Sequence, residues 1–331
     1  MMGLQQLVAL LWARGYGERL LMQEPLAHYT SFRIGGAADL LVIVHELDEL
    51  VECLGLARAA DVPVLVIGKG SNILVADAGV RGLVLVNRCD RFTIDDSGLL
   101  RAASGALLRD LAYWTAEHGW AGLEWAEGIP GTLGGAVVGN AGAYGGCMAD
   151  IVVWVRLLRP NGDIARLPVE ALEYGYRTSA LKRECPLQRS IVLEVGLQLV
   201  PGKVEVLRER VAEIAAQRRE RTPMGASAGS IFKRTLQYPA GFLIDRAGLK
   251  GCRIGDAEVS AKHANFLMNR GHATAAEVRA LVEKVQREVW AVFAQRLEPE
   301  IEFVGEWPQG DAAAREGTGQ AFRERKGDHG S

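Results

Sequence analysis

Eight of the nineteen residues from Gly128 to Gly146, the stretch GIPGTLGGAVVGNAGAYGG, are glycine, and none of the nineteen is charged. Each glycine adds unfolded-state entropy, roughly 0.5–1 kcal/mol inside regular structure, so such a cluster fits positive φ angles or backbone packed against a ligand. A compact turn in a glycine-rich protein is the plain alternative. Against it stands a second turn, Gly68-Lys69-Gly70-Ser71-Asn72, set directly after the apolar run 64–67. A strand ending in this way presents unpaired backbone N–H groups to an anion such as a diphosphate. Two such loops point to one large phosphate-bearing cofactor.

Around the loops the chain alternates strand and helix patterns. Residues 40–44 read as a strand, Leu47, Leu50, Val51 and Leu54 recur at helical spacing, and 64–67 returns to strand character. This predicts a βαβ unit that closes in the first glycine turn. A second α+β block comprises an amphipathic helix over 107–118, the glycine stretch as a long loop, a hairpin turning at Pro160-Asn161-Gly162, and a strand over 191–200. Residues 203–221 predict a charged helix with Val204, Leu207, Val211 and Ile214 on one face, connecting to a C-terminal domain. There Thr274 and Glu277 form a capping box for a helix running to about Arg296, with Val278, Leu281, Val282, Val285 and Val289 buried. The expected domains are 21–86, 87–201 and 202–307, and 308–331, rich in Gly, Ala and charge, reads as a disordered tail.

With 331 residues, 49% of them hydrophobic, the chain can build more than one core. A net charge of −2 gives no whole-protein attraction to nucleic acid or acidic membrane, so neither is an expected partner. Cys53, Cys89, Cys147, Cys185 and Cys252 are scattered and lack CxxC spacing, which speaks for reduced thiols and against a disulfide framework or a metal site. No secretory leader and no apolar run of about 18 residues can be read, so the expected compartment is the cytoplasm.

Position 73 is Ile, so Gly68-x-Gly70 does not complete the Rossmann fingerprint, and no P-loop string occurs. Paired glycine loops on an α+β block suit an extended dinucleotide such as FAD. Other segments carry chemistry-bearing residues. Ser230 lies in Gly229-Ser230-Ile231-Phe232-Lys233-Arg234, after the basic residues Arg218, Arg219 and Arg221. No triad or nucleophile elbow surrounds it, so a proton donor or a surface turn serine remain open. Arg177 in YRTS and Glu300 in LEPE can serve a carboxylate, or form surface ion pairs. Lys250 precedes Ser260-Ala261-Lys262-His263-Ala264-Asn265-Phe266, whose histidine can equally be a core residue.

In chain order, Thr30-Ser31-Phe32-Arg33-Ile34-Gly35-Gly36, GKGSN, GIPGTLGGAV, YRTS, GSIFK, AGLKG, SAKHANF and LEPE resemble the UDP-N-acetylenolpyruvoylglucosamine reductase family, over about residues 21–307. The resemblance implies an α+β fold: two FAD-binding subdomains of the vanillyl-alcohol-oxidase type and a C-terminal α+β substrate domain. It implies non-covalent FAD, NADPH as co-substrate, and reduction of the enolpyruvyl ether of UDP-N-acetylglucosamine to UDP-N-acetylmuramate for peptidoglycan. Carried over by motif, Ser230 is the general acid, Arg177 and Glu300 act at the substrate carboxylate, and Lys233, Lys250 and His263 bind the UDP-sugar. FAD contacts fall to Gly68, Lys69, Gly70, Ser71, Asn72, Gly128, Ile129, Pro130, Gly131, Thr132, Gly134, Gly135, Asn140, Ala141 and Gly142. The short span from Arg177 to residue 191 leaves little room for the longer insertion that carries a substrate-covering tyrosine in one subgroup of the family. The chain is therefore placed in the subgroup without it, with Lys233, Arg234 and the 218–221 run as groups to cover the diphosphate. A monomer is expected. Rival readings are an alcohol oxidase of the same fold and a non-catalytic flavin or UDP-sugar binding protein.

Overall fold

The structure, a computed structural model, describes residues 2–308, so all of the expected tail but Pro308 lies outside the described residues. Helix α1 (Met2–Ala13), which the sequence reading did not anticipate, buries Leu7 and Leu11 in one cluster with Leu50, Cys53 and Ala57 of α2 (Leu47–Ala59). These helices cover a four-stranded sheet ordered Leu20–Pro25, Ala37–Val44, Val80–Asn87 and Val64–Ile67. The two strands of the expected βαβ unit do not pair with each other; both run parallel to Val80–Asn87, which lies between them. That strand takes the central position because it is apolar on both faces, with Val80 and Leu83 to Val86 fully buried.

The second unit is an antiparallel sheet ordered Ile164–Pro168, Val152–Leu158, Ile191–Gln198, Leu99–Ala103 and Phe92–Ile94. The expected hairpin forms: Leu158 pairs with Ile164, and Gly162 takes a φ of +92° in the turn. Helix α3 (Leu108–Glu117) forms where expected. The glycine stretch, however, is not loop throughout, because α4 (Leu133–Gly139) occupies its middle. Gly134 allows this helix to press on the sheet, since a Cβ there would sit 2.9 Å from the Ser104 Cβ. Helix α5 (Val204–Arg221) buries Leu207, Val211 and Ile214, and Leu207 and Val211 pack on Ala116 of α3.

The third unit holds α6 (Ala240–Arg246), a sheet of Arg253–Ile254, Ala257–Val259 and Leu267–Asn269, and α7 (Ala275–Phe293). The capping box is present: Glu277 N–H donates to Thr274 Oγ1 at 3.1 Å, and Thr274 N–H to Glu277 Oε2 at 3.0 Å. All five expected apolar residues of α7 are buried, and the helix ends at Phe293, before the expected Arg296, on Ala294 at a φ of +51°. Phe32, Ile34 and Leu74 of the first unit complete this core. Ser31 and Ser227 are also joined, Ser227 N–H donating to Ser31 O and Ser31 Oγ to Ser227 O. The last strand, Glu302–Val304, runs parallel to Ile73–Val75, directly behind the first glycine turn. The chain thus returns its third unit to the mouth of the first. Among the described residues no helix is long and apolar enough to cross a membrane.

Candidate active site

Where the three units meet lies a cleft of about 810 Å³, within the range of cofactor sites. Both glycine loops wall it. Gly68 to Asn72, Gly128 to Thr132, Gly134, Gly135, Ala141 and Gly142 all line it. Asn140 does not: its Nδ2 donates to Gly175 O at 2.9 Å and its Oδ1 accepts from Ala149 N at 3.0 Å. In the left-handed conformation, φ +43°, Asn140 caps α4 and fastens it to the YRTS turn. The loops also touch each other, since a Cβ on Gly68 would stand 2.3 Å from Thr132 Oγ1.

The cleft suits a diphosphate-bearing dinucleotide on its own chemistry. The backbone N–H groups of Lys69 to Asn72 and of Gly131 and Thr132 donate to no acceptor among the described residues. Gly70 and Thr132 are buried, and backbone donors left open along a cleft wall suit an anion. Two side chains are similarly poised: Glu127, to which the sequence assigns no role, and Arg218, expected with the 218–221 run at the substrate diphosphate. Glu127, 6% exposed, receives the Tyr113 hydroxyl on Oε1 at 3.2 Å, while Oε2 has no partner among the described residues. Arg218 donates from Nη1 to Gly128 O at 3.1 Å, leaves Nε buried and unbonded, and lies over the Tyr144 ring. Carboxylate and guanidinium edges facing one cleft match hydroxyl-rich and phosphate-rich parts of FAD respectively. Glu127 could not be picked out from sequence because nothing local distinguishes a buried Glu from a surface one.

A second pocket of about 480 Å³ adjoins the cleft, and the residues common to both linings are Arg177, Ser230 and Glu300. Three distant segments converge to place them. Ile231 N–H donates to Asn265 O at 2.9 Å, and the buried Asn265 side chain makes two bonds to the Phe232 backbone, at 3.0 and 2.9 Å. On the other edge Glu300 N–H donates to Ile231 O at 2.7 Å, and Lys233 N–H to Glu298 O at 2.9 Å. GSIFK is therefore clamped between SAKHANF and LEPE. Ile231 and Phe232 anchor the segment in the core, and Gly229, at φ +76°, makes the turn that leads into Ser230.

Arg177 itself has a left-handed φ of +55°, in a tight turn where Gly175 and Thr178 bridge. Strain of this kind is held in place by surrounding contacts. Here the contacts are Arg177 Nη2 on Gly142 O at 2.6 Å and Nε at 3.0 Å from Glu300 Oε1. The Nε approach is close in distance but poorly aligned for a hydrogen bond. Burial pushes the Glu300 carboxyl pKa up, against the lowering pull of Arg177, Lys182 and Lys233. Glu300 is thereby favoured, relative to a surface glutamate, as a proton-bearing group.

The second pocket carries Arg234, Lys250, Lys262 and His263, with Tyr176 and Phe242. His263 is half-buried and its pKa lowered by desolvation, so it is neutral. Its Nδ1 accepts from Asn265 N–H at 3.3 Å, which leaves the ring proton on Nε2. Lys250 is paired with Asp245 at 2.7 Å. Lys233 lines neither cavity; its ammonium is engaged 2.5 Å from Glu298. Of the basic run, Arg218 and Arg219 line the cofactor cleft and Arg221 does not.

Residues 38–168 match an FAD-binding domain family, and residues 220–304 match a family described as UDP-N-acetylenolpyruvoylglucosamine reductase, C-terminal domain. The architecture is an α+β flavoprotein fold with an FAD-binding domain, and the protein is an FAD-dependent oxidoreductase. It is 44% identical over 289 residues to UDP-N-acetylenolpyruvoylglucosamine reductase of Moorella thermoacetica, covering 87% of this chain and 94% of that one. The Nostoc punctiforme reductase is 42% identical over 292 residues, 86% of each chain. The crystal structure of the Thermus caldophilus enzyme aligns with a TM-score of 0.73 at 37% identity, covering 87% of this chain and 98% of that chain. The chain belongs to the UDP-N-acetylenolpyruvoylglucosamine reductase family.

Proposed function

We propose that the protein reduces the enolpyruvyl ether of UDP-N-acetylglucosamine to UDP-N-acetylmuramate with electrons from NADPH. The observation that carries this reading is the junction: a cleft fitted to FAD adjoins a basic pocket, and Arg177, Ser230 and Glu300 are the described residues that line both. FAD, when bound, supplies hydride transfer from NADPH to the terminal vinyl carbon of the substrate. Negative charge then builds on the substrate carboxylate. Arg177 meets it with a guanidinium, and Glu300 in its protonated form donates a hydrogen bond to it. Ser230 Oγ delivers its proton to the carbon bearing the ether oxygen. A serine hydroxyl is a weak acid, but the carbanion-like centre it serves is strongly basic.

Arg234, Lys250 and Lys262 take the diphosphate in the second pocket, and His263 offers its Nε2 proton as a neutral donor. With Lys233 committed to Glu298, Arg234 and Lys262 do the covering that the tyrosine insertion does elsewhere. The protein acts as a cytoplasmic monomer with no nucleic-acid partner, and residues 21–86, 87–201 and 202–307 are its working units.

The test is an anaerobic flavin spectrum of the wild type and Ser230→Ala. In both, NADPH should bleach the flavin band. Substrate should restore it promptly in the wild type and about 10²- to 10⁴-fold more slowly in the variant. Restoration by oxygen but not by substrate would identify an oxidase, and absence of bleaching a binding protein.

A further inference from the structure

Lys182 follows the YRTS motif and lines the cofactor cleft, yet the mechanism above leaves it without a task. Its placement is fixed through a fully buried serine. Ser179 Oγ donates to Val138 O of α4 at 2.6 Å and accepts from Lys182 N–H at 3.1 Å. From this anchor on the cofactor wall, Lys182 Nζ reaches across to donate to the Glu300 main-chain oxygen at 2.9 Å. The route therefore runs from α4 through Ser179 and Lys182 to the catalytic carboxylate segment. Asn72 Nδ2, on the first glycine turn, reaches the same carbonyl at 3.2 Å but carries no charge, while Arg177 Nε approaches the Glu300 carboxylate out of alignment.

A neutral donor would satisfy a carbonyl without the desolvation cost of an ammonium, and here desolvation dominates the lowering of the lysine pKa. An ammonium brings a positive charge to this carbonyl as well as a hydrogen bond. The groups that face Glu300 are Arg177, Lys182 and Lys233, and those around Lys182 also include Glu302 and Arg189. Glu302 is held by Arg189 at 2.9 Å, and Lys233 by Glu298. Arg177, Lys182 and Lys233 all pull the Glu300 carboxyl toward its ionised form, and of the three only Lys182 also bonds the Glu300 main chain.

We propose that Lys182 is a positioning residue, which fixes the Glu300 segment against the cofactor cleft and whose charge sets how readily Glu300 gives up its proton. The proposal rests on the reading that Glu300 works as a proton-bearing group in the substrate-reducing half-reaction. Losing the ammonium should make Glu300 hold its proton to higher pH. The alkaline limit of substrate-driven flavin reoxidation would move up by about one unit in Lys182→Met. Displacement of the segment would slow the plateau rate about 10- to 100-fold. Lys182→Arg keeps the charge and should keep the wild-type pH limit.

The experiment follows single-turnover flavin reoxidation by the enolpyruvyl UDP-sugar against pH, for the wild type, Lys182→Met, Lys182→Arg and Glu300→Gln, with flavin content and melting temperature checked for each. A raised limit in Lys182→Met, an unmoved one in Lys182→Arg and no limit in Glu300→Gln would support the proposal. A Lys182→Met limit at the wild-type pH would overturn it, as would a limit that persists in Glu300→Gln. Folded Lys182 variants that lose only flavin would also overturn it, making the lysine a cofactor ligand. If the wild type itself is not reoxidised by substrate, the functional reading fails instead, and the two failures are distinct.

Discussion

Gly68→Ala is the cleanest probe of how the two glycine loops form one cleft. Unlike Gly70, at φ +57°, Gly68 does not have a left-handed backbone, so the substitution tests space and not strain. The added Cβ would meet Thr132 Oγ1 at 2.3 Å, Cγ2 at 2.7 Å and Cβ at 3.0 Å. Thr132 cannot easily yield: it is 4% exposed, its carbonyl accepts from Ala136 N, and it bridges Leu107. Overpacking of this kind costs about 1–3 kcal/mol, offset by about 0.4–1 kcal/mol from the stiffer unfolded chain. If separation of the loops removes the roughly 1–3 kcal/mol of the clash from the cofactor-bound state, FAD binding weakens about 5- to 150-fold, the unfolded-chain offset bearing on folding alone. Thr132→Gly deletes all three clashing atoms, so the double variant should recover most of the loss, with a coupling of about 1–3 kcal/mol. Flavin fluorescence titration of the apoprotein measures affinity, and urea unfolding measures stability. Wild-type affinity and stability in Gly68→Ala, or strictly additive losses in the double variant, would refute the argument.

Asn265→Ala removes two hydrogen bonds to the Phe232 backbone and leaves both groups buried and unpaired. Urea unfolding should show a loss of about 2–5 kcal/mol, and any variant that stays folded should lose substrate turnover before NADPH-driven bleaching, because Ser230 is displaced. Glu258, 5% exposed, lies between Arg270 and Arg253, and its hydrogen bond to Arg270 leads in lowering its pKa below 4.5. A depressed carboxylate stabilises the fold above its unfolded pKa, and this is lost as pH falls through the folded value. Stability of Glu258→Gln should therefore vary less than that of the wild type between about pH 6 and pH 3 in melting experiments; equal slopes would show that Glu258 is not responsible.

Local patterns were legible where local physics governs them. The Thr274 capping box, the apolar stripe of α7 and the Asn161-Gly162 hairpin each depend on residues a few positions apart, and each forms. The insertion of Val80–Asn87 between the strands of the expected βαβ unit depends on which strand is apolar on both faces, a comparison across the sheet. α4 was hidden because its glycines argue against a helix, and only the nearness of Ser104 explains Gly134. Asn140 reads as a ligand contact in sequence because it stands amid glycines that line the cleft; its amide instead ties α4 to the YRTS turn.

What the sequence determined by itself is the inventory: two glycine turns fit for a diphosphate, and a serine, an arginine and a glutamate in segments more than fifty residues apart. The tertiary structure alone decided their arrangement. Pairing of Glu302–Val304 with Ile73–Val75 and the clamp of Asn265 on Phe232 bring those segments together at the border of two cavities. The same packing spends Lys233 on Glu298, leaves Glu127 with an unpartnered oxygen and sets Lys182 against Glu300. The reason is physical: motif chemistry is a property of residue type and short spacing, whereas partner, burial and charge environment come from segments that meet only when the chain has folded.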